Sequence, residues 1–241
     1  MPNWVYNSLE IEAIEADPKQ LTDLVNQLNS PFTVQHENWD METGQMVFKD
    51  YVYSNPVFAF WNIVKPTDLE TYKLQKDPSV PDITFMGNNW YDWNVRNWGT
   101  KWDVAMSDDE QYRETSLDMT DADSVMYQFN TAWSPATEAI LNLSSQYPEL
   151  VFTLTYQEET GWGGDCLIMA GKFVNEMTYE SQCRDCDAYN SMEYCESDCG
   201  EICSECNYMG EADLDAVAKC DIHKGYLDSD HVPEYRTFDK I

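Results

Sequence analysis

Seven cysteines and one histidine stand in four short pairs near the C-terminal end: Cys183 with Cys186, Cys195 with Cys199, Cys203 with Cys206, and Cys220 with His223. Three chemistries are open to such a set: disulfides, a metal cage, or reactive thiols. Short pairs suit zinc, because both side chains of a tight turn reach one ion, at about 2.3 Å for sulfur, and leave two tetrahedral corners free. Four pairs complete two tetrahedra with no remainder. The eighth cysteine, Cys166, stands apart in the apolar run DCLIMAGKFV (165–174) and reads as a buried thiol; a full set of disulfides would have to recruit it. Both zinc sites are closed by four protein ligands, whereas a catalytic zinc keeps a position open for water. Two structural Zn2+ ions are therefore expected, folding a segment poor in aliphatic residues. Two pairing orders remain open. Sequential sites join the first pair to the second and the third to the fourth; interleaved sites join Cys183, Cys186, Cys203 and Cys206 at one ion and Cys195, Cys199, Cys220 and His223 at the other.

The elements that must position these groups belong to a chain of 241 residues, long enough for a proper core. Its 44 acidic and 14 basic residues give a formal charge of −30, and nine Trp with fifteen Tyr argue against a disordered acidic polymer. Such a surface repels phosphate backbones, since nucleic-acid affinity rests on Lys and Arg displacing counterions. It is the surface either of a very soluble protein or of one that imitates nucleic-acid charge. No stretch approaches the roughly 18 apolar residues of a membrane span. The start MPNWVYNSLEIEAIEADPKQ lacks the basic and apolar regions of a secretory signal, so an intracellular, reducing compartment is expected, which weighs against disulfides.

Residues 4–14 alternate apolar and polar toward their end, as a strand does. DPKQLTDLVNQLNS follows with Asp17 as N-cap, Pro18 in the first turn, and Leu21, Leu24, Val25 and Leu28 on one helical face. NPVFAFWNIVKP (55–66) is rich in aromatic and β-branched residues and reads as the strand closing a first β-α-β unit. SVMYQFNTAW (124–133), a helix capped by Ser134, then LVFTLTYQ (150–157) and DCLIMAGKFV make a second unit, β-α-β-β. The fold expected is α+β, a ferredoxin-like sandwich over residues 1–175 with a mostly antiparallel sheet. An irregular insertion, 67–123, carries Trp90, Trp93, Trp98 and Trp102, either as a local core or as a stacking surface for bases or sugars. A cysteine-rich module and tail occupy 176–241, with a helix over 211–219.

MPNWVYNSLEI, NWGTKWD and TAWSPATEAILNLSSQYPELVFTLTYQEETGWGGD resemble the YubB-like ferredoxin-fold family carried by bacteriophages and plasmids. The resemblance implies a mobile-element origin, the ferredoxin-like sheet and a place in the host cytoplasm, and it brings no catalytic residues. The cysteine spacing x2, x8, x3, x3, x2, x13, x2 resembles cross-braced RING-like zinc modules, which favours the interleaved order. Cys199 stands where a RING usually has histidine, His223 where it has cysteine, and Arg184-Asp185 replace the apolar contact for ubiquitin-conjugating partners. Ubiquitin-ligase activity is therefore not implied.

Other motifs carry little. His36 and His231 sit in no recognisable dyad, GWGG lacks the Lys-Ser/Thr of a phosphate loop, and DMTDAD (118–123) and DSDH (228–231) lack the order of a calcium loop. The reading is a non-enzymatic, acidic, phage-type accessory protein. It binds a protein partner, such as a host or defence factor that itself binds nucleic acid. The alternative is a nucleic-acid-binding protein using the sheet and the zinc module.

Overall fold

The computed structural model describes residues 3–74, 89–109 and 115–181, together with the backbone of three short strands further on. The chain divides into two compact units, one of residues 1–159 with 164–177, the other of 160–163 with 178–241.

In the first unit β1 (Trp4–Glu12) and α1 (Lys19–Leu28) lie where the pattern places them. Pro18, expected inside the helix, stands at the N-cap position of α1, and the Asp17 carboxylate before it accepts from the Lys19 N–H at 3.0 Å. The second half also follows expectation: β5 (Ser124–Ala132), α4 (Thr137–Gln146), β6 (Val151–Glu158) and β7 (Gly163–Met169), with β8 (Lys172–Tyr179) beyond. With β4 (Ser116–Asp121) these strands form one sheet in the order β4-β5-β1-β6-β7-β8. β1 runs antiparallel to both β5 and β6, so β5-α4-β6 is a β-α-β unit split by β1. β4 is antiparallel to β5, which makes β1 and β4 the outer strands of another split unit. The order 2-3-1-4 of these strands is the ferredoxin-like plan.

Several expectations need correction. The strand that closes the first unit is β4, not residues 55–66. That segment is apolar because it is buried on every side: Phe58, Ala59, Phe60, Trp61 and Ile63 are all core residues, and Phe60–Asn62 form a 3-10 turn. Polar contacts hold it under the helix ends. Asn62 Nδ2 donates to the Leu28 and Ser30 carbonyls, and Gln146 Nε2 donates to Ile63 O. The long crossover from α1 to β4 therefore begins with a separate antiparallel hairpin, β2 (Phe32–Asp40) and β3 (Gln45–Tyr53), that the sequence reading missed. It continues through α2 (Leu69–Tyr72) and α3 (Trp90–Trp98), so the described residues of the insertion expected at 67–123 include two helices and a sheet strand. Ser134 does not cap α4 either; its hydroxyl donates to the Gly99 carbonyl, and α4 starts at Thr137.

The core lies between one sheet face (Val5, Leu9, Ile11, Tyr127, Phe129, Phe152, Leu154) and the apolar faces of α1 and α4 (Leu21, Leu24, Leu28, Ala139, Ile140, Leu143). In the second unit, β9 (Met192–Tyr194), β10 (Gly200–Cys203) and β11 (Met209–Ala212) form an antiparallel sheet in the order β11-β10-β9. Residues 211 and 212 belong to β11, so the helix expected over 211–219 does not start there; its remainder lies outside the described residues.

Candidate functional site

NWGTKWD joins the long crossover to the sheet, and nearly every residue in it has a task. Trp98 ends α3 fully buried, its indole N–H donating to Val64 O at 3.0 Å. Gly99 caps the helix at φ +83°, in the left-handed region, where a Cβ would also stand 3.0 Å from Pro135 O. Thr100 Oγ1 donates to Ala132 O and accepts from Ala132 N on β5. The Asp103 carboxylate accepts from the backbone N–H groups of Phe60, Trp61 and Ala105, at 2.8, 2.9 and 3.1 Å. Desolvation outweighs these donations and pushes the Asp103 carboxyl up to about 6. Asp103→Ala leaves those donors without their acceptor. It should cost about 2–3 kcal/mol at pH 7 in chemical denaturation, and Asp103→Asn, which keeps one acceptor oxygen, about half as much.

Around this junction lies a cavity of about 560 Å³. The inward face of the hairpin supplies one wall: Phe32, Val34, His36 and Asn38 alternate along β2, with Tyr51 and Tyr53 opposite on β3. Trp61, Tyr72, Trp90 and Trp98 supply another, and Trp4, Trp102 and residues 103–106 and 130–132 complete it. Tyr53, Phe32 and Trp61 form a stacked ladder, with centroids 4.3 and 5.9 Å apart. Tyr72 OH donates to Asn94 Oδ1, and Asn94 Nδ2 to Lys101 O, which ties α2 and α3 to the junction.

His36 packs among Tyr51, Tyr72 and Trp90, and its Nδ1 is buried with no hydrogen-bond partner. Burial lowers its pKa from the ordinary 6.5 to about 4, so the ring is neutral at pH 7. A base lowered on folding contributes stability that is full above 6.5 and drains away as pH falls toward 4. Asp103 works in the opposite sense, since its raised pKa favours the fold below the ordinary carboxylate range and is lost as pH rises through about 6. Comparison with His36→Phe isolates the first effect. The wild-type stability minus that of the variant should fall by about 1–2 kcal/mol between pH 7 and 4.5, discounted for the ring's partial exposure.

In the Trp-rich segment Trp98 is core, and Trp90, Trp98 and Trp102 all line the cavity. Sequence reasoning did not find Trp4, Trp61 or the hairpin residues as part of the same site; the period-2 alternation of Phe32, Val34 and His36 was the available signal. Cys166 is buried and free as expected, its thiol pushed up to about 11 by desolvation first and by Glu176 and Asp165 next. Asn142 lies in α4 and donates to the Glu138 carbonyl. Of the expected zinc ligands, Cys203 ends the backbone of β10, while Cys183, Cys186, Cys195, Cys199, Cys206, Cys220 and His223 lie outside the described residues, as does DSDH. Among the described residues no group of three or more His, Cys, Asp or Glu converges to hold a metal, and no helix is long and apolar enough to cross a membrane.

No curated protein matches the chain. Among solved structures, the protein api92 from Yersinia pseudotuberculosis matches with 11% identity and a TM-score of 0.49, covering 76% of this chain and all of that one. A family model described as the ferredoxin-like domain in Api92-like protein matches residues 101–197. The span runs past residue 175, the expected end of the ferredoxin-like sandwich, and takes in Cys183, Cys186 and Cys195. Over residues 101–197, from the end of NWGTKWD through the sheet, the chain is thus similar to the ferredoxin-like domain of Api92-like protein.

Proposed function

We propose that this chain is a non-enzymatic, acidic accessory protein of a mobile genetic element. In the host cytoplasm it binds a basic, nucleic-acid-binding protein by imitating nucleic-acid charge, and two structural zinc ions hold its C-terminal module. The observation that carries the reading is the charge balance. With 44 acidic against 14 basic residues, pairing every Lys and Arg internally would still leave thirty carboxylates facing water or a partner. Strands β4, β5, β1, β6 and β7 contain no Lys or Arg, while Glu10, Glu12, Asp118 and Asp165 alternate with the core-facing positions. That sheet speaks against the rival reading, a nucleic-acid binder, because base-stacking sheets need cations for the backbone. The lack of catalysis is supported by how the reactive groups are used: Asp103 is tied to backbone N–H groups, and the Cys166 thiol stays protonated.

The test is capture from host lysate over a salt series, with duplex DNA as competitor. A partner that binds DNA should be held at 50 mM salt, lose affinity about 100-fold by 200 mM, and be displaced by the duplex. Retention that ignores salt, or a partner with no affinity for nucleic acid, overturns the reading.

A further inference from the structure

The aromatic cavity has no part in a purely electrostatic role, yet its size and lining are those of a ligand site. About 560 Å³ lies within the range of small-molecule pockets, roughly 300–1,000 Å³, and is more than one side chain fills. Its described lining includes no Lys or Arg, and His36 is neutral. Ring faces carry the negative lobe of the aromatic quadrupole and attract cations. The rim already uses this: Lys101 Nζ lies 4.3 Å from the Trp102 centroid, and Lys49 Nζ, paired with Asp109, lies 5.0 Å from that of Tyr51. An anion entering here would meet ring faces and no Lys or Arg among the described lining, within a chain of charge −30.

We propose that the cavity between the β2–β3 hairpin and NWGTKWD binds an organic cation carried on a flat apolar body. Its occupant is a basic, ring-bearing segment of the partner, whose guanidinium or ammonium group faces the aromatic walls. The identity of that occupant rests on the charge-mimic reading above; the cation preference of the cavity does not.

Calorimetric titration of the full chain with matched probes tests it. Phenethylamine, 2-phenylethanol and 3-phenylpropionate present one ring with a positive, neutral or negative end, and an acetylated Arg-Phe-Arg amide stands for the partner segment. The amine should bind at least tenfold tighter than the alcohol, the acid should not bind, and the tripeptide should bind tightest. Trp102→Leu, at a ring 38% exposed and outside the core, should weaken the amine and the tripeptide about fivefold. Equal binding of amine and alcohol, no binding by any probe, or unchanged affinity in the Trp102→Leu variant overturns the proposal. A tripeptide no tighter than the amine overturns the partner segment as occupant and leaves a free amine in its place. Should the salt series fail while the amine binds as expected, the charge-mimic reading falls and the cavity stands.

Discussion

Trp98→Ala is expected to destabilise the first unit by about 3–5 kcal/mol and to lower its thermal midpoint by about 10 °C. The ring is among the largest fully buried side chains, meets Trp93 edge to face at 5.4 Å and Phe60 at 5.9 Å, and donates to the Val64 carbonyl. Truncation removes these contacts together, leaves a void in a junction pinned on several sides, and orphans a backbone acceptor. The matched control is Trp102→Ala, whose ring is 38% exposed and should cost no more than about 1 kcal/mol. Circular dichroism melts of the three proteins decide the matter; equal midpoints for the two variants would mean that Trp98 is not the pin of the junction.

Removal of metal should have a larger effect, confined to the second unit. Each closed, sulfur-rich zinc site contributes an apparent 10–16 kcal/mol, roughly, to the folding of a small module. Protein purified under reducing conditions should carry two zinc ions per chain. A strong chelator should make residues beyond 181 sensitive to protease while the first unit keeps its melting midpoint. The quadruple variant Cys183→Ser, Cys186→Ser, Cys203→Ser and Cys206→Ser separates the two pairing orders. One zinc survives if those four share an ion, and neither survives if the sites are sequential. Absence of metal from clean, reduced material, or mass mapping that finds the sulfurs bonded to one another, removes the zinc sites altogether.

The sheet was legible wherever one face is buried and the other wet. β1 alternates from Val5 to Ile11, β6 from Phe152 to Tyr156, and α1 repeats its leucines every three to four residues. Such periodicity survives because a single interface imposes it. Residues 55–66 misled for the opposite reason: a segment covered on all sides loses its period and keeps only its apolarity, which a buried strand shares. β4 was missed because it is a short edge strand, SLDMTD, whose polar residues suit an exposed edge. Ser134-Pro135 carries the sequence pattern of a helix start, but the Ser134 hydroxyl was taken by Gly99, a residue thirty-five positions earlier.

From the sequence alone came the −30 charge, the spacing of the four ligand pairs, and a tryptophan cluster available for packing or stacking. These are local or additive properties, complete once the residues are written down. Which rings face one another was decided only by the tertiary structure. Trp4, Phe32, Trp61 and Trp102 are scattered over nearly a hundred positions, and they meet because a crossover of unforeseen length folds a hairpin back toward the start of β1 and the end of β5. Convergence of that kind depends on where long-range contacts close, and no window of sequence contains it.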